Sequence, residues 1–95
     1  MTQQEKRKER RVHTALPVIL ENGTGITRDV SASGVFFWAE GRPFTAGDPI
    51  SFAVQIRRPA GKMTLVCRGD VVRTEPYEAM LGVAARITES VMESA

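Results

Sequence analysis

Short apolar runs with a period of two residues dominate the chain, and turn-forming residues separate them. The clearest alternation lies in residues 50–57, where Ile50, Phe52, Val54 and Ile56 share one face. Six runs of this kind occur, with no long helical pattern between them. The pattern predicts an all-β domain, either a barrel or a sandwich.

The predicted strands cover residues 15–21, 24–30, 34–39, 50–57, 63–74 and 80–87. Asn22-Gly23 predicts a tight hairpin between the first two strands, because a primed turn needs positive φ at both central residues. In the fifth run, Gly69 and a phase break at Val71-Val72 predict a β-bulge or a bend. A further turn is expected around Pro76.

The two ends of the chain depart from the strand pattern. Residues 1 to about 10 are charged and without periodicity, which predicts a flexible basic arm. Residues 88–95 predict a short helix with Thr88 as its N-cap. At about eight residues, the helix would have to pack against the strands to be stable. We therefore expect an arm and switch segment at residues 1–14 and one β-domain at residues 15–95.

Charge changes this picture only at the N-terminus. The net charge is +2, but residues 1–11 alone carry five bases and two acids, and the remaining eight bases and nine acids leave the rest at −1. Basic character confined to one arm predicts a small anionic ligand. It suits a nucleic-acid duplex less well, because a duplex needs a broader basic face.

Groups that could support catalysis are few. His13 and Cys67 are distant in sequence, and the chain has neither metal-ligand spacing nor a phosphate loop, so we expect no enzyme, metal or cofactor. Cys67 is the single cysteine, which excludes an intramolecular disulfide and predicts a buried structural thiol. No signal peptide or membrane-spanning pattern is present, so we expect a cytoplasmic protein without membrane insertion.

Two polar stretches predict a binding site. Arg7 and Arg11 are four residues apart and Arg10 lies beside them, so their guanidinium groups can converge on phosphate or on the O6 and N7 acceptors of guanine. The second stretch is Asp-Val-Ser-Ala-Ser-Gly at residues 29–34, here called the polar corner. Asp29 would suit the N–H donors on the other edge of guanine. Taken alone, the corner could simply turn the chain, because Asp, Ser and Gly are all turn residues.

Together the two stretches resemble the paired motifs of PilZ domains. The run Arg7-Lys-Glu-Arg-Arg11 is similar to the RxxxR motif, and the polar corner is similar to the (D/N)xSxxG motif. Leu16-Pro17-Val18 follows the second arginine at the expected distance, and residues 81–87 are similar to the last strand of the family. The resemblance therefore covers nearly the whole chain.

The resemblance implies a six-stranded antiparallel β-barrel that binds cyclic di-GMP, a bacterial second messenger. Carried over to this sequence, Arg7 and Arg11 would engage guanine and phosphate. Asp29, Ser31 and Gly34 would form the floor of the site, with Gly34 allowing close backbone approach. Two further basic residues of the arm are added as hypotheses: Arg10 and Lys6.

The sequence departs from the family in one respect, because the family commonly attaches its barrel to an output domain and we expect none here. We expect an arm that is mobile when free and clamps onto the ligand, with the change read by an effector protein in motility or biofilm regulation. A monomer or weak dimer is expected.

Two alternatives remain open. One is an adaptor barrel of the same fold that binds protein and no nucleotide. The other, less favoured, is an RNA or single-stranded DNA binder that stacks bases on Phe36, Phe37 and Trp38. Because side chains of a strand alternate between its faces, these three aromatics cannot all face outward together.

Overall fold

The computed structural model describes residues 10–21, 23–40 and 44–94 as an antiparallel β-barrel. Within these ranges there are seven strands: β1 (Val12–His13), β2 (Pro17–Leu20), β3 (Gly23–Val30), β4 (Gly34–Glu40), β5 (Pro49–Arg58), β6 (Gly61–Tyr77) and β7 (Met80–Ser94). Pairing runs β2–β5–β6–β7–β4–β3 and returns from β3 to β2, which closes six strands into a barrel. The predicted six-stranded antiparallel barrel is thus confirmed.

Alternate side chains of these strands fill the barrel with an apolar core. Phe37 lies at its centre and is fully buried, and its ring packs against Phe52 with a centroid distance of 5.8 Å. The other members of the core are Val18, Leu20, Val35, Ala39, Ile50, Val54, Cys67, Val71, Val83 and Ala85. Five of the six barrel strands contribute to this cluster, and β3 packs against it through the partly buried Val30.

Cys67 belongs to this core, as predicted. Its side chain is 1% exposed, and burial raises the pKa of the thiol to about 11. A protonated thiol at neutral pH is a weak nucleophile and a poor metal ligand. Among the described residues, no group of three His, Cys, Asp or Glu side chains is placed to hold a metal ion.

β6 carries the predicted irregularity. Its register with β7 shifts between Arg68 and Gly69 and again between Val71 and Arg73. Gly69 is required there, because a Cβ atom at this position would overlap the backbone carbonyl oxygen of Arg86. The bulge bends the β6–β7 pair at the level where β5 stops pairing with β6.

The predicted C-terminal helix is wrong. Residues 88–94 continue β7, and residues 89–94 pair with residues 63–68 of β6. A helix of about eight residues is marginal in water, whereas the long β6 strand offers these residues backbone hydrogen-bond partners along one edge. Within the described sheet, this part of β7 pairs with β6 alone, since β4 accompanies β7 only from Met80 to Arg86. No helix long and apolar enough to cross a membrane occurs in the part of the chain described.

Two turns differ from their predicted positions. Leu20 pairs with Gly23, so Gly23 already belongs to the strand, and the prediction for Asn22 lies outside the described residues. The turn expected around Pro76 lies two residues later, because β6 extends to Tyr77 and Glu78 takes a positive φ of 55°. Beyond Asp70, β6 has β7 as its only partner in the described sheet, and such an edge tolerates a proline without a backbone donor.

Thr27 fastens the segment that joins β1 to β2. Its hydroxyl accepts a hydrogen bond from the Leu16 amide at 2.8 Å and donates one to the Thr14 carbonyl. β1 and β2 then pair with the two ends of β3, at Asp29 and Val30 for β1 and at residues 23–26 for β2. This arrangement brings Arg10 to His13 alongside the polar corner. The division of the chain at residue 14 stays a prediction.

Candidate functional site

A β-bulge in β3 brings Arg28 and Asp29 together. Thr27 pairs with Phe37 and Asp29 pairs with Phe36, so Arg28 is an extra residue inserted between two successive pairs. In a regular strand, neighbouring side chains point to opposite faces of the sheet. Here Arg28 Nε donates a hydrogen bond to Asp29 Oδ2 at 2.7 Å. The bulge therefore makes an ion pair between adjacent residues possible.

Asp29 holds two arginines at once. Arg11 Nη1 donates to Asp29 Oδ1 at 2.5 Å, while Arg28 occupies the other carboxylate oxygen. The Asp29 side chain is 0% exposed, whereas those of Arg11 and Arg28 are 57% and 46% exposed. Burial raises the pKa of this carboxyl, but the hydrogen bonds and charges of Arg28 and Arg11 outweigh it and hold the pKa below its ordinary value. The group of three is thus ionised and carries one net positive charge.

An aromatic cluster supports Arg28 from below. Its guanidinium carbon lies 3.9 Å from the centroid of the Phe36 ring, and Phe36 meets Trp38 edge to face at 5.2 Å. Tyr77 continues the cluster with a centroid distance of 5.8 Å to Trp38. Gly82 leaves room for both rings of β4, because a Cβ atom there would lie 2.5 Å from the Phe36 ring and 2.9 Å from the Trp38 ring. The sheet thus holds the Phe36 ring, and with it the stacked guanidinium, in place.

The polar corner is a tight connection between β3 and β4. The Ser31 amide donates to the Gly34 carbonyl at 2.8 Å, and the Ser31 hydroxyl donates to the same oxygen at 3.3 Å. The Ile87 amide donates to the Ser33 carbonyl at 2.8 Å, which fastens the corner to β7. A Cβ atom at Gly34 would approach the Ala85 carbonyl oxygen to 3.2 Å. The corner is therefore a turn as well as a candidate surface for a ligand.

A cavity of about 430 Å³ lies between the polar corner and the bulged parts of β6 and β7. Its lining residues come from five separate stretches of the chain: Arg11, Arg28, Ser31, Ser33, Gly34, Val35, Phe36, Val72, Arg73, Ala84, Ala85 and Arg86. Four of these residues are arginines. Two of the four have surface carboxylate partners, with Arg73 Nε 2.9 Å from Glu75 Oε2 and Arg86 Nη2 3.2 Å from Asp70 Oδ2. The cavity is therefore suited to an anion.

The structure brings together some of the predicted site residues. Arg11, Ser31 and Gly34 line the cavity, and Asp29 is buried behind Arg11. Arg10 is exposed and, within the described ranges, does not line it. The predictions for Lys6 and Arg7 fall outside the described residues. Ligand contact stays a prediction for all seven: Lys6, Arg7, Arg10, Arg11, Asp29, Ser31 and Gly34.

Sequence reasoning missed three arginines of the cavity. Arg28 could have been found from its position next to Asp29, but a regular strand would have turned it to the opposite face. Arg73 and Arg86 offered no local signal. They reach the cavity through the irregular pairing of β6 with β7, which is a property of the assembled sheet.

Comparison with known proteins agrees with this architecture. The chain matches the PilZ domain family over residues 5–94. Among solved structures, it is similar to the Bacillus subtilis inhibitor of motility (MotI/DgrA), with a TM-score of 0.76 and 16% sequence identity over 90% of this chain. The chain spans 44% of that protein, and at this identity the likeness concerns the fold alone. No curated protein is similar enough to count as a match. The match over residues 5–94 shows that the chain belongs to the PilZ domain family.

Proposed function

We propose that this protein is a receptor for cyclic di-GMP, which binds in the cavity beside the polar corner. The observation that carries the proposal is the group formed by Arg11, Asp29 and Arg28, where two guanidinium groups share one buried carboxylate at the cavity. Such a group is positive and rigidly oriented, and guanidinium suits both phosphate oxygens and the O6 and N7 edge of guanine. Membership of a family of receptor and adaptor domains supports the same reading.

Each motif residue has a distinct role in this proposal. Arg11 contacts the ligand, and the Ser31 hydroxyl and the Gly34 backbone form the nearby wall of the cavity. Asp29 acts through the arginines, because its carboxylate is buried and both oxygens already accept hydrogen bonds from them. Direct contact between Asp29 and a guanine edge would require the ligand to displace one of these arginines.

The proposal includes a relay from the ligand to an effector protein. The segment before Arg11, which contains Arg7, would close over the bound ligand and change the surface that a partner meets. A structural neighbour of this fold is named as an inhibitor of motility. We accordingly propose a partner in motility or biofilm regulation and a cytoplasmic site of action.

Isothermal titration calorimetry with cyclic di-GMP tests the binding site. The wild-type protein should bind, and Arg11→Ala should weaken binding roughly tenfold to more than a hundredfold, as expected for loss of a charged hydrogen-bonded contact of about 1.5 to 3 kcal/mol. Arg68→Ala is the matched control, because Arg68 is an exposed arginine paired with Glu89 at 3.9 Å and does not line the cavity. A wild-type protein without affinity, or an Arg11→Ala variant that binds equally well, would contradict the proposal.

The same titration separates the alternatives. A single-stranded oligoribonucleotide should not bind, because two of the three aromatics that would stack on its bases, Phe36 and Phe37, are only 2% and 0% exposed. Binding of the oligoribonucleotide without cyclic di-GMP would instead support a nucleic-acid function. If neither ligand binds, a protein adaptor becomes the better account.

A further inference from the structure

We propose that Arg28 and Arg73, which lie outside both motifs, are further contacts for the anionic ligand and share the Phe36 ring as their support. This inference rests on the proposed function and deepens it. The guanidinium carbons of Arg28 and Arg73 lie 3.9 Å and 5.9 Å from the centroid of that ring, and both residues line the cavity. The two contacts extend the site from the arm and the polar corner across to β6.

Arg28 is held in a fixed orientation by two different neighbours. Its Nε atom donates a hydrogen bond to Asp29, and its guanidinium group lies over the ring of Phe36, which is itself 2% exposed. A guanidinium carries five N–H donors, and the bond to Asp29 uses only the Nε donor. The Nη donors are therefore available to a ligand at little further cost in side-chain entropy, because the group is already ordered.

Arg73 is held more loosely, which suits a contact that forms on binding. It pairs with Glu75 at 2.9 Å, and the two side chains are 56% and 45% exposed. An ion pair this exposed to solvent stabilises the protein only slightly, so exchanging the carboxylate for a phosphate costs little. The register shift between Val71 and Arg73 places this residue beside the cavity.

The charges around the cavity are compatible with Arg28 and Arg73 as further contacts. Four arginines line it, and three carboxylates pair with them: Asp29, Glu75 and Asp70. The excess positive charge arises because Arg11 and Arg28 share Asp29. A ligand with two phosphates needs a second cation, and Arg73 supplies it once the phosphate replaces Glu75.

The stacking on Phe36 distinguishes Arg28 from a simple positive charge. A guanidinium is planar and stacks on an aromatic face, whereas a lysine ammonium is a compact, strongly hydrated point charge. Arg28→Lys would keep the charge while losing both the stack and the fork of donors. The variant therefore tests orientation separately from electrostatics.

Calorimetry with cyclic di-GMP on the full chain tests the inference. Arg28→Ala and Arg73→Ala should each weaken binding roughly tenfold, Arg28→Lys should also bind more weakly than wild type, and Arg68→Ala should be unchanged. Arg73 makes no contact with Asp29, so Arg73→Ala reports on the ligand without disturbing Arg11. Thermal unfolding of each variant shows whether it remains folded.

The outcomes separate this inference from the function on which it rests. If Arg11→Ala loses affinity while Arg28→Ala and Arg73→Ala bind as tightly as Arg68→Ala, the receptor function stands and the two further contacts are overturned. An unchanged affinity in only one of the two variants removes that residue from the site and overturns the paired arrangement. A wild-type protein that does not bind cyclic di-GMP overturns both proposals.

Discussion

The barrel contains two kinds of buried side chain, and their comparison separates what holds the fold from what builds the site. Phe37 is 0% exposed, and Thr27 and Asp29 are 3% and 0% exposed, so burial alone does not distinguish them. Phe37 packs against side chains from the barrel strands. The two polar residues bind the segment from Arg11 to Leu16 instead. The partners of a buried residue, and not its depth, therefore indicate its role.

The largest effect on stability is expected for the buried apolar residues. Phe37→Ala removes the ring that packs against Phe52 and Phe44 and should lower the free energy of unfolding by about 3–5 kcal/mol in urea denaturation. Val91→Ala is the control, since Val91 is 59% exposed and should change stability by no more than about 0.5 kcal/mol. Equal losses of stability in the two variants would contradict the distinction between core and surface residues.

An intermediate effect is expected at Thr27. Thr27→Val keeps the shape but leaves the Leu16 amide and the Thr14 carbonyl without their hydroxyl partner, which should cost about 1–3 kcal/mol. Hydrogen exchange should speed up in β1 more than in β5, because β1 depends on this attachment. Thr27→Ser retains the hydroxyl and should lose less. Uniform exchange across both strands would mean that Thr27 supports the whole barrel.

The smallest effect is a pH dependence at Asp29. Because the folded state holds the pKa of Asp29 below its ordinary value, this group stabilises the fold above the unfolded pKa of about 3.9, and the contribution falls as acid protonates it. The stability difference between wild type and Asp29→Asn should therefore narrow between about pH 5 and about pH 3 in thermal unfolding. A constant difference over that range would show that the ion pairs with Arg11 and Arg28 contribute nothing to stability.

Features that depend on local residues could be predicted from the sequence. The alternation of β5, the bulge near Gly69 and the turn at the polar corner each follow from a few neighbouring positions. The end of β7 could not be predicted from neighbouring positions, because its strand conformation comes from pairing with residues 63–68, more than twenty positions away. Local preference suggested a helix there, and nonlocal pairing decided otherwise.

The same division applies to the candidate site. Arg11, Asp29, Ser31 and Gly34 could be selected because their spacing matches two motifs. The ion pair between Asp29 and Arg28 could not be predicted, because it depends on a bulge that only the pairing of β3 with β4 produces.

The bulge at Arg28 makes the site depend on the number of residues in β3 as well as on their identity. Substitutions at this point change a side chain but leave the count, and hence the register, intact. Deletion of residue 28 would retain every letter of both motifs and restore regular pairing between β3 and β4. A homologous chain with this deletion would contain both sequence motifs but would lack the geometry of the site.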